Sequence, residues 1–282
     1  MLSYRHAFHA GNHADVLKHL VLVQIAHYLC QKDTPLWYID THAGAGCYDL
    51  ESDQSQKLGE FRDGINRLWQ RDDLPSVVED YMALIRRLNT GNKLKRYPGS
   101  PWIAEQMLRE EDRLRLFELH SSDFRHLGRN FKDGGRRITL TASDGFAGLK
   151  ALLPPPSRRA LVLIDPSYET KSDYFNVANA LEDALRRFAT GTYAIWYPRL
   201  ARADSRRLPD RLKSVAAANN WLHVALDVKK PASDGFGLYG SGMFIANPPW
   251  TLAETLKTTL PWLAKNLTQG EGSSFTLEQQ AA

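Results

Sequence analysis

The sequence predicts a doubly wound α/β fold: a mostly parallel, seven-stranded sheet with helices on both faces and a small helical insertion after the first strand. Three observations carry that reading. Leu161 to Ile164 form an unbroken apolar run, as in a strand covered on both faces, which has no polar side to alternate with. Pro35-Leu-Trp-Tyr-Ile-Asp40 is a second such strand and empties at once into Thr41-His42-Ala-Gly44-Ala-Gly46. A strand running into a Gly-rich turn begins folds of this kind, because glycines let the backbone bend tightly and approach a ligand. Short apolar runs then alternate with helix-period segments along the rest of the chain.

At 282 residues, the chain can bury one large core or two small ones. Its hydrophobic fraction of 43% and charged fraction of 24% are those of a globular protein. The net charge of +4 and a pI near 9.0 permit an anionic partner without demanding one. Cys30 and Cys47 are the only cysteines, which excludes a disulfide scaffold. Met-Leu-Ser-Tyr-Arg-His at the start lacks an apolar leader core, and no stretch approaches a membrane span. These features predict a soluble, reduced, cytoplasmic protein.

Near the start, Asn12 is placed to cap a helix running to about Gln31, with Val16, Leu20, Val23 and His27 on one stripe. His6, His9 and His13 have metal-like spacing, but no cysteine is interleaved and Asp15 is the only carboxylate nearby, so the reading is no metal. Two alternatives stand for this segment: histidines hydrogen-bonded at a helix start, or Lys18 and His19 reaching into a ligand cleft. The Gly-rich turn departs from the dinucleotide pattern, since Asp49 stands where a third glycine would be. That disfavours a nicotinamide cofactor and suits S-adenosylmethionine (SAM), which has no pyrophosphate to cradle.

Leu58, Phe61, Ile65, Leu68 and Trp69 keep helical spacing, as do Val77, Val78, Tyr81, Leu84, Ile85 and Leu88. The second strand, Leu114 to Phe117, delivers Glu118, the candidate ribose ligand. It arrives far later than the roughly 20 residues of an uninterrupted unit. Residues 51–95 are therefore predicted to form a helical insertion subdomain overhanging the site, with residues 1–50 and 96–282 forming the main domain. Ser100 before Pro101 reads as an N-cap or as a ligand contact. A helix from Ser121 or Ser122 to Lys132 leads to a strand over Arg137 to Thr141. The next acid, Asp144, either caps the helix after it or meets an adenine amino group.

Pro166 closes the Leu161–Ile164 strand and leaves Asp165, a fixed carbonyl and Tyr168 at the carboxyl edge, where ligands bind in open α/β sheets. A helix over 173–189, a strand over 191–198, an Arg-rich helix carrying Arg202, Arg206, Arg207 and Arg211, and strands over 221–228 and 241–247 complete the fold. The last helix, Leu252 to about Leu267, contains Pro261 and is expected to kink or break there. The tail after Gln269 is expected to be disordered.

Adenine N6 is a poor nucleophile because its lone pair is delocalised into the ring. A side-chain oxygen and a proline-fixed carbonyl that accept its hydrogens, with an aromatic ring to hold the base, overcome this. Asp165-Pro-Ser-Tyr168 and Asn247-Pro-Pro-Trp250 both fit. Topology favours the first, which follows the strand beside the Gly-rich turn. The second is expected to anchor the final helix.

Together these strings resemble the RlmJ family of 23S ribosomal RNA adenine-N6 methyltransferases. The resemblance runs from Leu2-Ser-Tyr-Arg-His to Asn247-Pro-Pro-Trp250, and is densest in Phe8 to His19, Asp40 to Gly46, Tyr97 to Pro101 and Ser157 to Arg159. It implies a class I Rossmann-like methyltransferase that uses SAM, releases S-adenosylhomocysteine, needs no metal and acts on one adenine of 23S rRNA; a monomer is expected, though nothing in the sequence fixes the oligomeric state. By the same resemblance His19, His42, Ser100, Glu118, Asp144, Gly145 and Asp165 contact SAM. Asp165 and the Pro166 carbonyl face N6, Tyr168 stacks on the base, and Tyr4 and Lys18 lie on the substrate side. The family motif usually reads Asp-Pro-Pro-Tyr, and here Ser167 replaces its second proline. RNA contacts would draw on Arg86-Arg87, Lys93, Lys95, Arg96, Arg158-Arg159, Arg186-Arg187 and the helix of Arg202 to Arg211. The rival readings are a DNA adenine methyltransferase and a non-catalytic SAM- or RNA-binding protein.

Overall fold

The computed structural model describes residues 4–233 and 235–281, so Leu2 and Ser3 of the family-like string lie outside it. A short 3-10 turn over His6–Phe8 precedes helix α1 (His13–Leu29), then β1 (Trp37–Asp40) and β2 (Cys47–Asp49). Helices α2 (Asp53–Leu58), α3 (Asn66–Trp69) and α4 (Ser76–Leu88) come next, before β3 (Arg96–Pro98). Helices and strands then alternate: α5 (Ser100–Met107), β4 (Arg113–Phe117), α6 (Ser121–Asn130), β5 (Ile138–Thr141), α7 (Gly145–Leu152) and β6 (Ala160–Ile164). The remainder is α8 (Lys171–Arg187), β7 (Thr192–Arg199), α9 (Ala203–Val215), β8 (Trp221–Asp227), β9 (Gly240–Ala246), α10 (Leu252–Leu267) and β10 (Ser274–Gln280).

The main sheet has the order β10-β8-β9-β7-β6-β1-β4-β5. Strands β1, β4, β5, β6 and β7 are parallel to their neighbours in that set, β9 runs antiparallel between β7 and β8, and β10 is antiparallel to β8. All seven expected strands are present. The eighth, β10, corrects both the strand count and the expected disordered tail. It pairs residue for residue with Trp221–Asp227, an edge that would otherwise present unpaired backbone groups.

β6 shows why its sequence is apolar throughout. Leu161 and Leu163 enter the buried cluster shared with α1, while Val162 and Ile164 enter the cluster under α8 and α9. Each successive side chain meets a different covered face. Asn12 caps α1, its Oδ1 accepting from the amides of Ala14 and Asp15 at 3.0 Å each. The expected single stripe is too narrow a description of this helix: Leu17, Val21 and Leu22 are buried alongside Val16, Leu20 and Val23, and His27 is exposed. The helix is enclosed by β9, α4, α5 and α10, which removes the solvent face an amphipathic helix needs.

Helices α2 to α4 lie between β2 and β3, which pair antiparallel with Tyr48 opposite Tyr97. Ile65, Leu68, Tyr81, Met82 and Ile85 join the same buried cluster as Leu17 and Leu20. Helix α10 is not broken at Pro261 but continues across it to Leu267. The proline frees the Lys257 carbonyl, but both residues are exposed to water, and the fully buried Leu256, Leu260, Leu263 and Leu267 hold the helix on either side.

Candidate active site

Strand order reverses around β1, which pairs with β6 on one side and β4 on the other, all parallel. Ligands collect at the carboxyl edge of such a reversal, where the flanking loops diverge. Four strand ends meet here: Asp40 to Gly46 after β1, Glu118 after β4, Asp144 after β5 and Asp165 after β6.

Asp40 is fully buried at its strand end. Its Oδ2 accepts from the Tyr38 hydroxyl at 2.8 Å and the Ser100 hydroxyl at 2.7 Å, and its Oδ1 from the His42 amide at 3.2 Å. Burial raises the carboxyl to about 6, against the pull of those donors. Ser100 is therefore not the N-cap that the Ser-Pro pair suggests. Gly99 occupies that position, and the serine hydroxyl serves the buried carboxylate instead, because a buried charge demands donors.

The Gly-rich turn is fixed by Glu118, whose oxygens accept from the Gly44 amide at 2.8 Å and the His120 amide at 2.6 Å. Burial pushes this carboxyl up as well. Gly44 has φ +61°, and a β-carbon there would sit 2.3 Å from the Tyr48 hydroxyl oxygen. At Gly145 a β-carbon would lie 1.9 Å from the Thr41 carbonyl oxygen, so no other residue lets α7 approach β1 this closely. Asp144 caps α7, its Oδ1 accepting from the Phe146 amide at 2.8 Å. His42 bonds the Thr41 hydroxyl through Nδ1 at 2.8 Å and meets the Phe146 ring edge-on at 5.0 Å. Burial lowers its imidazole to about 4, so the ring is neutral at pH 7.

His19, from α1, bonds the Tyr97 hydroxyl through Nδ1 at 2.8 Å. Its Nε2 is buried without a hydrogen-bond partner among the described residues, and burial holds the ring neutral. A buried ring nitrogen of this kind is free to bond a ligand at this edge. The glycine turn, the acids after β4 and β5 and the neutral imidazoles together fit SAM, a cation with an adenosine to hydrogen-bond.

Asp165 lies on the other side of the same edge. Its Oδ2 is 2.6 Å from Lys18 Nζ, and that ammonium also stands 2.8 Å from Asp15 Oδ1. Asp15 Oδ2 bonds His6 Nε2 at 2.9 Å and accepts from the Gly11 amide at 2.8 Å. His6 Nδ1 in turn meets the Tyr4 hydroxyl at 2.9 Å. Burial raises Asp165, with the Lys18 ammonium opposing it. Burial also pushes up Asp15, but His6 and Lys18 more than reverse this and hold it well below the usual carboxylate range. Burial disfavours the Lys18 charge, and the two aspartates outweigh that and raise it. The Lys18 ammonium stands 5.7 Å from the centre of the Trp196 ring.

Tyr168 has φ +53° and is 3% exposed. Its hydroxyl donates to the Trp196 carbonyl at 2.6 Å, and its ring packs against Tyr174 and Trp196 at 4.7 and 5.9 Å between centroids. The ring assigned by resemblance to base stacking is thus enclosed in this conformation. Tyr4 stacks on His9 at 5.4 Å, and Arg5 Nε donates to Asp123 Oδ1 at 3.1 Å. Residues 4–9 therefore run across the edge between α6 and Asp165.

Asn247-Pro-Pro-Trp250 stands elsewhere. Because β9 is antiparallel to β7, with Ala246 opposite Tyr193, Asn247 emerges at the amino edge of the parallel strands. Its amide nitrogen donates to the Ala189 and Gly191 carbonyls at 2.7 Å each. Arg159 also lies at that edge and donates to the carbonyls of Leu29, Lys32 and Thr34. Arg86 pairs with Glu79, Arg186 and Arg187 with Asp183, and Arg202 with Asp204. Sequence reasoning missed Asp15, His6 and Trp196 as parts of the site. The available signal was an acid and a lysine three residues apart inside a helix rich in apolar residues. Among the described residues no group is arranged to hold a metal ion, and no helix is long and apolar enough to cross a membrane.

A family model described as "Ribosomal RNA large subunit methyltransferase D, RlmJ" matches residues 33–278. The chain is 48% identical over 279 residues to ribosomal RNA large subunit methyltransferase J of Haemophilus influenzae, covering 99% of this chain and 98% of that one. It is also 48% identical over 267 residues to the protein of that name from Escherichia coli, covering 95% and 94%. The crystal structure of protein LPL1258 from Legionella pneumophila superimposes with a TM-score of 0.89 at 35% identity, over 97% of this chain and 99% of that one. With that match over most of its length, and with the SAM-compatible edge described above, the chain belongs to the RlmJ family of SAM-dependent large-subunit ribosomal RNA methyltransferases.

Proposed function

We propose that this chain transfers the methyl group of SAM to the exocyclic N6 of one adenine in 23S rRNA, giving N6-methyladenosine. The observation that carries the reading is Asp165, a carboxylate at the end of β6, beside the cofactor turn and charge-paired with Lys18. Bound SAM supplies an electrophilic methyl group on a sulfonium and departs as S-adenosylhomocysteine. Asp165 and the Pro166 carbonyl accept hydrogen bonds from the two amino hydrogens, which draws the nitrogen lone pair out of the ring and aims it at the methyl carbon. As the new N–C bond forms, N6 becomes cationic and gives one proton to Asp165. Lys18 keeps that carboxylate charged beforehand, so it accepts first the hydrogen bond and then the proton.

In this reading His19, His42, Ser100, Glu118, Asp144 and Gly145 hold SAM, with Asp165 touching its methyl end. Tyr168 stacks on the base only by leaving its place against Tyr174 and Trp196, while Tyr4 and Lys18 line the substrate side. Residues 51–95 act as an insertion subdomain that receives RNA, on a main domain of residues 1–50 and 96–282. In this reading the enzyme works as a cytoplasmic monomer. The test is to incubate the purified protein with labelled SAM and 23S rRNA lacking the modification, then map the label. A single N6-methyladenosine is expected. Label on duplex DNA alone, on another atom, or nowhere despite tight SAM binding overturns the proposal.

A further inference from the structure

We infer that Asp15 is a positioning residue that joins the N-terminal segment to the reacting carboxylate, acting through Lys18 on one oxygen and His6 on the other. This rests on the function proposed above.

An acid in the first turn of a helix ordinarily faces solvent and interacts with the helix dipole. Asp15 is 2% exposed, and a carboxylate so buried is unfavourable unless donors surround it. Its donors divide by direction. Oδ1 takes Lys18, whose ammonium also reaches Asp165. Oδ2 takes His6 and the Gly11 amide, and His6 meets the Tyr4 hydroxyl. One side chain thus stands between the two arms of the site.

The shared ammonium explains why a second carboxylate is needed. With Asp15 in place, Lys18 is anchored to its own helix and divides its charge between two acids. Asp165 keeps its negative charge and can still offer an oxygen to N6. Without Asp15, the ammonium closes on Asp165 alone and blunts it as an acceptor. The His6–Tyr4 arm loses its anchor at the same time. The first effect belongs to the chemical step, and the second to binding of the RNA.

The test uses Asp15→Asn in the full-length chain, with SAM and unmodified 23S rRNA as substrates. A fall in kcat of about a hundredfold and a severalfold rise in the KM for RNA are expected, with the SAM dissociation constant within twofold of wild type. Added to Lys18→Met, Asp15→Asn lowers kcat no further; added to His6→Gln, it raises KM no further. Full additivity in both backgrounds, or wild-type kinetics in Asp15→Asn, overturns the inference. Should that variant fail to fold, the same cycles are run with Asp15→Glu, which keeps the charge but displaces both contacts, and additivity there is equally fatal. Hydrogen–deuterium exchange in the absence of substrate separates this inference from the function itself. Residues 4–9 should exchange faster in Asp15→Asn or Asp15→Glu, and unchanged protection overturns the positioning role even where no RNA is methylated.

Discussion

Lys18 Nζ stands 2.6 Å from Asp165 Oδ2, and the lysine side chain is only 6% exposed. The carboxyl is raised by burial and held down by that ammonium. Lys18→Met removes the opposing charge, so Asp165 moves further up and becomes a carboxylate only at higher pH. The acid limb of the kcat–pH profile should shift upward, with activity partly recovered in alkaline buffer. Leaving the partner charge buried should also lower stability by about 3–5 kcal/mol, measured by urea unfolding at pH 7. An unshifted acid limb would show that Asp165 does not titrate in turnover.

Asp40 gives a stability signature of its own. Its carboxyl rises from 3.8 in the unfolded chain to about 6 in the folded one, so between those values the folded state binds more protons than the unfolded. Stability therefore falls as pH climbs through that window, by about 3 kcal/mol from this group. In Asp40→Asn that slope is absent. The difference between wild type and variant, followed by urea unfolding from pH 4 to pH 7, should change by this amount. Parallel curves would mean the carboxyl is not perturbed.

Gly145→Ala forces a methyl group against the Thr41 carbonyl, where a β-carbon would sit at 1.9 Å. Either α7 or the turn after β1 must move. Stability should drop by about 1–3 kcal/mol, and SAM affinity measured by calorimetry should fall with it. Unchanged SAM affinity would place the cofactor away from this junction.

The two tetrapeptides should separate cleanly on substitution. Asn247→Ala removes both donors to the Ala189 and Gly191 carbonyls and places alanine at φ +53°, costing about 1–3 kcal/mol with kcat unaltered. Asp165→Ala should reduce kcat by about 10²–10⁴-fold and leave the fold intact. A dead Asn247→Ala enzyme of normal stability would reverse the assignment.

Seven strands, and the meeting of the segments after β1, β4, β5 and β6, were legible in the sequence. Buried strands in a doubly wound sheet leave apolar runs, and their carboxyl ends share one edge. What escaped depended on distant partners. Ser-Phe-Thr-Leu-Glu-Gln-Gln is too polar to announce a strand, and β10 forms because β8 offers it an edge. Ser100 carries every local mark of a cap, yet a buried carboxylate on β1 claims its hydroxyl. Asp15 and Lys18 have the spacing of a surface pair, and only the enclosure of α1 turns them inward. The direction of β9, which sends Asn247 to the far edge, is written in no local motif.

Ser167→Pro, which gives the Asp-Pro-Pro-Tyr string that the resemblance leads one to expect, should leave kcat at or above wild type. A tenfold loss in single-turnover assays would show that the serine has acquired a role.

The Tyr168 hydroxyl is tied to the Trp196 carbonyl, and its ring rests on Trp196 and Tyr174. The bend after β6 is thus set by the neighbouring strand, not by a second pyrrolidine ring at position 167. A change between serine and proline at 167 is buffered by that anchoring. An insertion or deletion in β7 is not, because a slip of one residue would carry the Trp196 carbonyl out of reach and turn its ring to the opposite face. The bend at Tyr168 is thus held by a carbonyl 28 residues downstream of it.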